Sequence, residues 1–590
     1  MRQAFNRKSR IQNPHRLKSY SASRAHNGPV KKSKNILINH GSNVLVTLGI
    51  RNTFAICGWV CVVLAKHGVG YDSSGPNNRV GAEHGDQRQA LFEDKTISTS
   101  SGYDRVTAGL DWRWPIVVVA LAATAIVLGW VGYAASDDAA YYLAAQHWIV
   151  SPPFPGYDHW ATRFPLVITL AATLRVLGEN ETALTVVALL WYVVFLLVMF
   201  ALATRIGGRR VGWIATILLS TMPVVVSNAT TVSCDLVEAT FLVLGILWAG
   251  DAATQDLGRD LGRNTGQPAG SDRHALAAGL AFGIAILCRE TTTLALMGFV
   301  PLFVLGKPIS RRALILMAVS CFALLAGEAV FQWVLTGNPL NRWDVAFHHD
   351  AHIDRAANAE GNFLVHPVLD PLVVLLVNND FGMIFWIFLL AAWLRVDRLL
   401  DAGARRRTIV LAALALAMFV LTGVLYTKLV LNPRYFMLPA IAAAIIASVW
   451  LGSATVRVRT AVLVVAIAVN FLMLSVENTH PRWAAEALVI AARERPDRPI
   501  VTDAQTYHRA LMPLHWHHLT RIERGPPRPG QLFLLPTEEV PTGATILARY
   551  PSPSTPLGAI LDVVGLAGFI PPAIRHRLIS PNPTALLIRM

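Results

Sequence analysis

The run Trp114-Pro-Ile-Val-Val-Val-Ala-Leu-Ala-Ala-Thr-Ala-Ile-Val-Leu-Gly-Trp-Val-Gly-Tyr-Ala-Ala-Ser-Asp-Asp138 places two adjacent carboxylates at the end of a hydrophobic stretch. Ala139 to Val150 continues it with helical character and carries Tyr141 and Tyr142. The aromatic, basic segment Gly156-Tyr-Asp-His-Trp-Ala-Thr-Arg-Phe-Pro165 follows. Carboxylates at the point where a span leaves a bilayer are expensive, so they mark a functional site unless a helix cap explains them. The plain alternative is an N-cap, with Ser136 or Asp137 accepting from orphan N–H groups.

The whole chain shares the apolarity of that stretch. Of 590 residues, 53% are apolar and 15% are charged, and the mean hydropathy is +0.44. Apolar runs of about 17–25 residues recur, the length needed to cross a hydrocarbon core of about 30 Å. The fold class expected is an all-α polytopic membrane protein. The spans are 115–135, 183–204, 211–229, 234–250, 275–289, 291–306, 313–335, 380–396, 408–430, 435–452 and 459–475, about 11 in all. Residues 164–178 are short and carry Arg175, which fits an amphipathic helix lying at the interface.

Charge orients the spans. The net charge of +15 is scattered among the N-terminal tail, short Arg-rich links and the C-terminal region, as expected of positive-inside loops and not of a nucleic-acid surface. With 164–178 lying flat, alternate links carry Arg205, Arg209 and Arg210; Arg259, Arg263 and Arg273; Lys307, Arg311 and Arg312; Arg395 through Arg407; and Arg457 with Arg459. These belong in the cytoplasm. The opposite loops face the outside of the cytoplasmic (inner) membrane, and with them the acidic pair.

Three regions are expected. Residues 1–113 are a basic, largely disordered region with a weak hydrophobic segment at 43–65, read as a span, an interfacial helix or the product of a misplaced start. Residues 114–475 form the membrane domain. Residues 476–590 form a small extracytoplasmic α/β domain, with a helix near 480–495 and strands ending at Asp503 and starting at Gln531. The five cysteines, including Cys57 and Cys61, form no redox or zinc spacing and imply no disulfide framework.

Chemistry gathers at the outer mouths. Asp137 or Asp138 can act as a general base toward an acceptor hydroxyl or amine. Asp235 and Glu238 open another span one turn apart, on one helix face, with a helix-dipole role as the alternative. Arg434 and Tyr435, at the start of a late span, can hold a phosphate, as can Arg163 just before Pro165; interfacial anchoring is the plainer reading of Arg434. Arg289 and Glu290 form either an internal ion pair or a second phosphate contact, the former favoured. Three His and two Asp fall within seven residues at His348, His349, Asp350, His352 and Asp354. They are candidates for a divalent metal, but their spacing matches no closed zinc pattern and favours a solvated or substrate-lining loop.

Together these residues resemble the GT-C membrane glycosyltransferases, in particular the protein O-mannosyltransferases and the bacterial transferases that add aminoarabinose to lipid A. The resemblance rests on an acidic pair after the first span followed by Ala-x-Tyr-Tyr, a basic-Phe-Pro entry to an interfacial helix ending Leu-Gly, and Asp235. Ala-Thr-Arg-Ile-Gly-Gly-Arg-Arg-Val-Gly at 203–212 and Pro-Arg-Tyr-Phe-Met-Leu-Pro at 433–439 add to it. It implies transfer of a sugar from a polyprenyl-phosphate donor to a protein, lipid or envelope-glycan acceptor at the outer face. It puts the base on Asp137, where Asp138 departs from the more usual Glu; donor phosphate on Arg163, Arg434, Tyr435 and Arg289; and the second-mouth acid on Asp235. Tyr141, His159 and Glu238 then contact the acceptor or support the site. The partners implied are the lipid-linked donor and membrane lipid, with no nucleic acid and no certain cofactor. The rival is a polytopic transporter or lipid flippase. It is disfavoured because no internal repeat is visible and the acids sit at the mouths and not mid-span.

Overall fold

The computed structural model describes residues 113–260, 269–348, 369–425, 433–477, 480, 482–579 and 582–590. All lie in the larger of two compact units, Trp59–Met590. The segment at 43–65, with Cys57 and Cys61, lies outside the described residues.

Gly207-Gly208 decides the first half of the bundle. Glu181–Thr221 is a continuous run of helix except at Gly208, whose φ of 81° and ψ of 173° suit glycine alone. In a straight helix Phe200 and Trp213 would stand about 20 Å apart; their ring centroids are 4.4 Å apart. Tyr192 likewise donates to the Ser220 carbonyl at 2.7 Å, across 28 residues. The chain therefore doubles back at Gly208, giving the two spans expected on either side of the Arg-rich link. Gly212 packs against Thr204 and Phe200, where a Cβ would collide.

Among the described residues, seven helices are long and apolar enough to cross a membrane, that hairpin counted as one: Glu181–Thr221, Asp235–Asp256, Ser271–Cys288, Arg311–Thr336, Ala402–Val424, Pro433–Ser453 and Val456–Val476. Pro433–Ser453 has 83% of its apolar window buried against 28% for Arg311–Thr336, so the former is central and the latter faces outward. Three other expected spans are helical but shorter than forecast. Arg113–Leu128 has 16 residues. Ile384–Trp393 has 10, because Asn379–Phe381 turns separately before it. The third is broken into Thr292–Leu296 and Phe299–Leu305, where Gly298 lies against the Ala413 backbone. Phe164–Leu177, at 14 residues, is about 21 Å long, too short to span.

The basic links converge at one end. Arg205 and Arg407 each meet the Asp251 carboxylate at 3.1 Å, and Arg406 donates to the carbonyls of Ala253 and Pro308. Arg312 pairs with Asp272 at 2.7 Å. Links far apart in sequence thus share one side, as the charge pattern requires.

After the last long helix the chain forms a five-stranded sheet in the order β2-β1-β3-β5-β4. The strands are β1 Ile500–Thr502, β2 Ile522–Arg524, β3 Leu532–Leu535, β4 Thr545–Tyr550 and β5 Ala585–Arg589. β1 runs parallel to β2 and β3, while β5 is antiparallel to β3 and β4. Helices Trp483–Glu494 and Ala504–Trp516 cover one face, packing Leu488, Ala491, Ala510 and Leu514 on Ile500, Leu534 and Leu587. Asp503 ends β1 and caps the second helix, accepting from Gln505 and Thr506 at 2.9 Å each. β1 and β3 stand where the sequence pattern put them; β2, β4 and β5 had no alternation long enough to announce them.

A candidate active site at the acidic mouth

Asp138 organises the loop that carries its neighbour. It is 1% exposed, and its carboxylate accepts from the backbone N–H of Ala134, of Ser136 at 2.7 Å and of Ala139 at 3.0 Å. Burial pushes its carboxyl above the ordinary value of 3.8, against those three N–H donors and the charge of Arg482. The capping role expected of Ser136 or Asp137 belongs to Asp138 instead: Ser136 makes no side-chain cap. The reason is steric order, since a carboxylate pointing back along the chain can close around Ala134 and Ser136, four and two residues behind it.

With Asp138 turned inward, Asp137 faces the bundle. Arg434 Nη1 lies 3.1 Å from its Oδ2 and 3.9 Å from Oδ2 of Asp235. Asp235 starts its helix 3% exposed and pairs closely with Arg289, which also stands 3.6 Å from Glu238. Thr292 donates to Glu238 at 2.6 Å. The ring of Tyr435 lies 5.0 Å beneath the Arg289 guanidinium, a cation–π contact. Three carboxylates and two guanidiniums from four separate stretches of chain so meet around a small cleft lined by Asp235, Glu238, Arg289, Arg434 and Tyr435. Asp235 and Glu238 do share one face, one turn apart, as their spacing required.

Two expectations change. Arg289 and Glu290 do not pair with each other: successive side chains on a turn diverge, and Glu290 meets Arg342 at 2.7 Å. Arg163 is buried one layer behind the cleft, donating to the Tyr141 hydroxyl and to Cys234 Sγ at 3.4 Å. His159 is 6% exposed and packs on Trp160, beside this layer. Of the metal candidates, His348 turns its Nδ1 to the Asp344 carbonyl at 2.7 Å. His349, Asp350, His352 and Asp354 lie outside the described residues. Among the described residues, no three His, Cys, Asp or Glu side chains are placed to hold a metal.

Residues that composition left anonymous complete the setting. Arg342, fully buried, donates to the carbonyls of Thr162, Ile286 and Leu287 as well as to Glu290. It ties the interfacial loop to the end of the 269–288 helix. Arg482 donates to the Val131 carbonyl at 2.9 Å and lies over the Tyr133 ring. Trp516 sits edge-on to Tyr133 and Tyr142, with centroids 5.2 and 5.7 Å away. The C-terminal region thereby grips the acidic loop from behind. An arginine directly after His-Pro and a tryptophan among histidines carry no motif by which sequence could single them out.

An apolar cavity of about 620 Å³ is lined by Phe282, Ile286, Leu296, Val300, Phe322 and Trp343 among others. Ile286, at its wall, stands one turn before Arg289 in the chain.

Residues 164–334 match the family model of dolichyl-phosphate-mannose-protein mannosyltransferases. No curated protein matches the chain. Among solved structures, ArnT from Cupriavidus metallidurans bound to undecaprenyl phosphate is 15% identical, with 70% of this chain and 86% of that one covered at a TM-score of 0.50. Its apo form is 14% identical, covering 68% and 84% at 0.49. The archaeal oligosaccharyltransferase AglB from Archaeoglobus fulgidus, with an inhibitory peptide and a dolichol-phosphate, is 16% identical, covering 68% and 63% at 0.44. The protein thus has the GT-C fold of membrane glycosyltransferases, similar to ArnT over most of its length and to the mannosyltransferase family over residues 164–334.

Proposed function

We propose that the protein transfers a sugar from a polyprenyl-phosphate donor to an acceptor at the extracytoplasmic face of the inner membrane. The observation that carries the reading is the convergence of Arg289 and Arg434 on Asp235 beside the half-exposed Asp137. Two guanidiniums at a membrane mouth are suited to the phosphate of a lipid carrier. The apolar cavity that Ile286, one turn before Arg289, helps to line suits the isoprenoid chain. The undecaprenyl phosphate bound in the ArnT structure and the dolichyl-phosphate-mannose named in the matched family's description support the same donor class.

In this reading the acceptor hydroxyl or amine gives its proton to Asp137 as its lone pair attacks the anomeric carbon. The bond from that carbon to the phosphate oxygen breaks with inversion. The electron pair leaves on polyprenyl phosphate, where Arg289 and Arg434 stabilise the added charge. Arg434 holds Asp137 in the free protein, and donor phosphate competing for that guanidinium frees the carboxylate for the acceptor's proton. Asp235 and Glu238 hold the arginines in place. Arg163 acts at one remove, fixing the Tyr141 hydroxyl behind Asp137.

The test uses purified protein in nanodiscs with synthetic polyprenyl-phosphate hexoses and pentoses, following release of polyprenyl phosphate. Release with at least one donor, accelerated by envelope extract as acceptor, is expected. Solute or lipid movement across vesicles with no release from any donor would instead establish the transporter reading.

A further inference from the structure

The segment Pro556–Ile570 is hydrophobic where a water-facing loop should not be. Its only charged residue is Asp562. Five large apolar side chains stand out from it: Ile560 is 53% exposed, Val563 87%, Val564 56%, Leu566 50% and Phe569 84%. A contiguous patch of this kind on a folded surface marks contact with something apolar.

The patch is held in shape. Thr555 caps the Pro556–Val563 helix, its hydroxyl accepting from Gly558 N at 3.0 Å, and its own N–H donates to the Ile579 carbonyl at 2.9 Å. Arg575 donates to the carbonyls of Gly568 at 2.8 Å and Ile570 at 3.3 Å, which clamps the turn that presents Phe569. Gly558 lets the helix lie directly on the Ile579 backbone. None of these contacts covers the apolar side chains; they fix the backbone that displays them.

Its place in the fold names the occupant. Pro556–Val563 packs against the long helix Val456–Glu477, and only a third of that helix's apolar window is buried within the protein. Val464 and Leu472 on it are 59% and 43% exposed, a surface that lipid must cover. The apolar edge therefore abuts a lipid-facing helix. We propose that Pro556–Ile570 is an interfacial anchor: Val563, Val564, Leu566 and Phe569 enter the bilayer boundary and hold the C-terminal region down onto the membrane. Insertion also keeps Arg482 and Trp516 pressed on the acidic loop. The inference rests on the membrane reading of the long helices and stands whether or not sugar is transferred.

The experiment places a spin label at Phe569→Cys, and separately at Val563→Cys, in the full-length protein in phosphatidylglycerol/phosphatidylethanolamine nanodiscs, with Glu539→Cys as the water-exposed reference. The signal of the labelled unsubstituted protein is subtracted as background. Labels at 563 and 569 should collide with oxygen several-fold more, relative to a polar nickel chelate, than the label at 539. Equal accessibility at all three sites would overturn the proposal. So would dipolar broadening between labels at 569, because a second copy of the chain would then cover the patch. Using two label sites keeps the answer independent of one variant's folding.

Discussion

Asparagine at 137 and at 138 separates chemistry from architecture, because the two neighbouring carboxylates are held so differently. Asp137 has one ion pair, to an Arg434 that is itself 31% exposed and also reaches Asp235. A pair so placed contributes about 1 kcal/mol or less, so Asp137→Asn should leave the melting temperature within a few degrees of wild type. Its cost falls on the reaction: loss of a general base lowers turnover by about 10²–10⁴, or about 3–5 kcal/mol of barrier. Asp138→Asn does the reverse. The amide keeps one oxygen for the N–H groups of Ser136 and Ala139, but turns an NH₂ toward the N–H of Ala134 or loses the other pair. Removing a charge-assisted bond and leaving a buried donor without an acceptor costs about 2–3 kcal/mol. The assay pairs donor turnover in nanodiscs with a thermal melt of the same samples. Full turnover by Asp137→Asn, or lost turnover with an unchanged melt in Asp138→Asn, would refute the assignment.

Three further outcomes follow from the same contacts. Gly208→Ala forces a side chain into the φ 81°, ψ 173° conformation of the hairpin and should lower stability by about 1–3 kcal/mol, read as a reduced melting temperature in detergent. Arg342→Ala removes the partner of Glu290 and of three buried carbonyls. It should cost about 3–5 kcal/mol and sharply reduce the yield of monodisperse protein on size exclusion, whereas a near-normal yield would show that the interfacial loop is held by packing alone. Burial works to raise the Glu179 carboxyl, but hydrogen bonds from Tyr142, Gln146 and His515 leave it below its ordinary value of 4.5. Its contribution is therefore present above that value and lost as pH falls through the lower folded one. The melting-temperature gap between wild type and Glu179→Gln should hold at neutral pH and shrink as pH falls below about 4.5.

Sequence by itself determined the membrane class, the alternation of basic links with acidic mouths, and the grouping of Asp235 with Glu238. Apolar run length and the cost of burying charge leave those features little freedom. It also located the link between two spans at 205–210, the short helix after Arg163, and β1 and β3. Tertiary structure decided which charge meets which. Glu290 could pair with Arg289 or Arg342, and Arg163 could face donor phosphate or Tyr141; partners 52 and 22 residues apart are selected by packing, which leaves no local periodicity. Tertiary structure also set the lengths of the helices that start at 113, 292 and 384, which end sooner than their apolar runs. The acidic pair shows the division most clearly. Sequence marked Asp137-Asp138 as one feature, and only the fold, by turning one carboxylate into the backbone of its own loop, left the other facing Arg434.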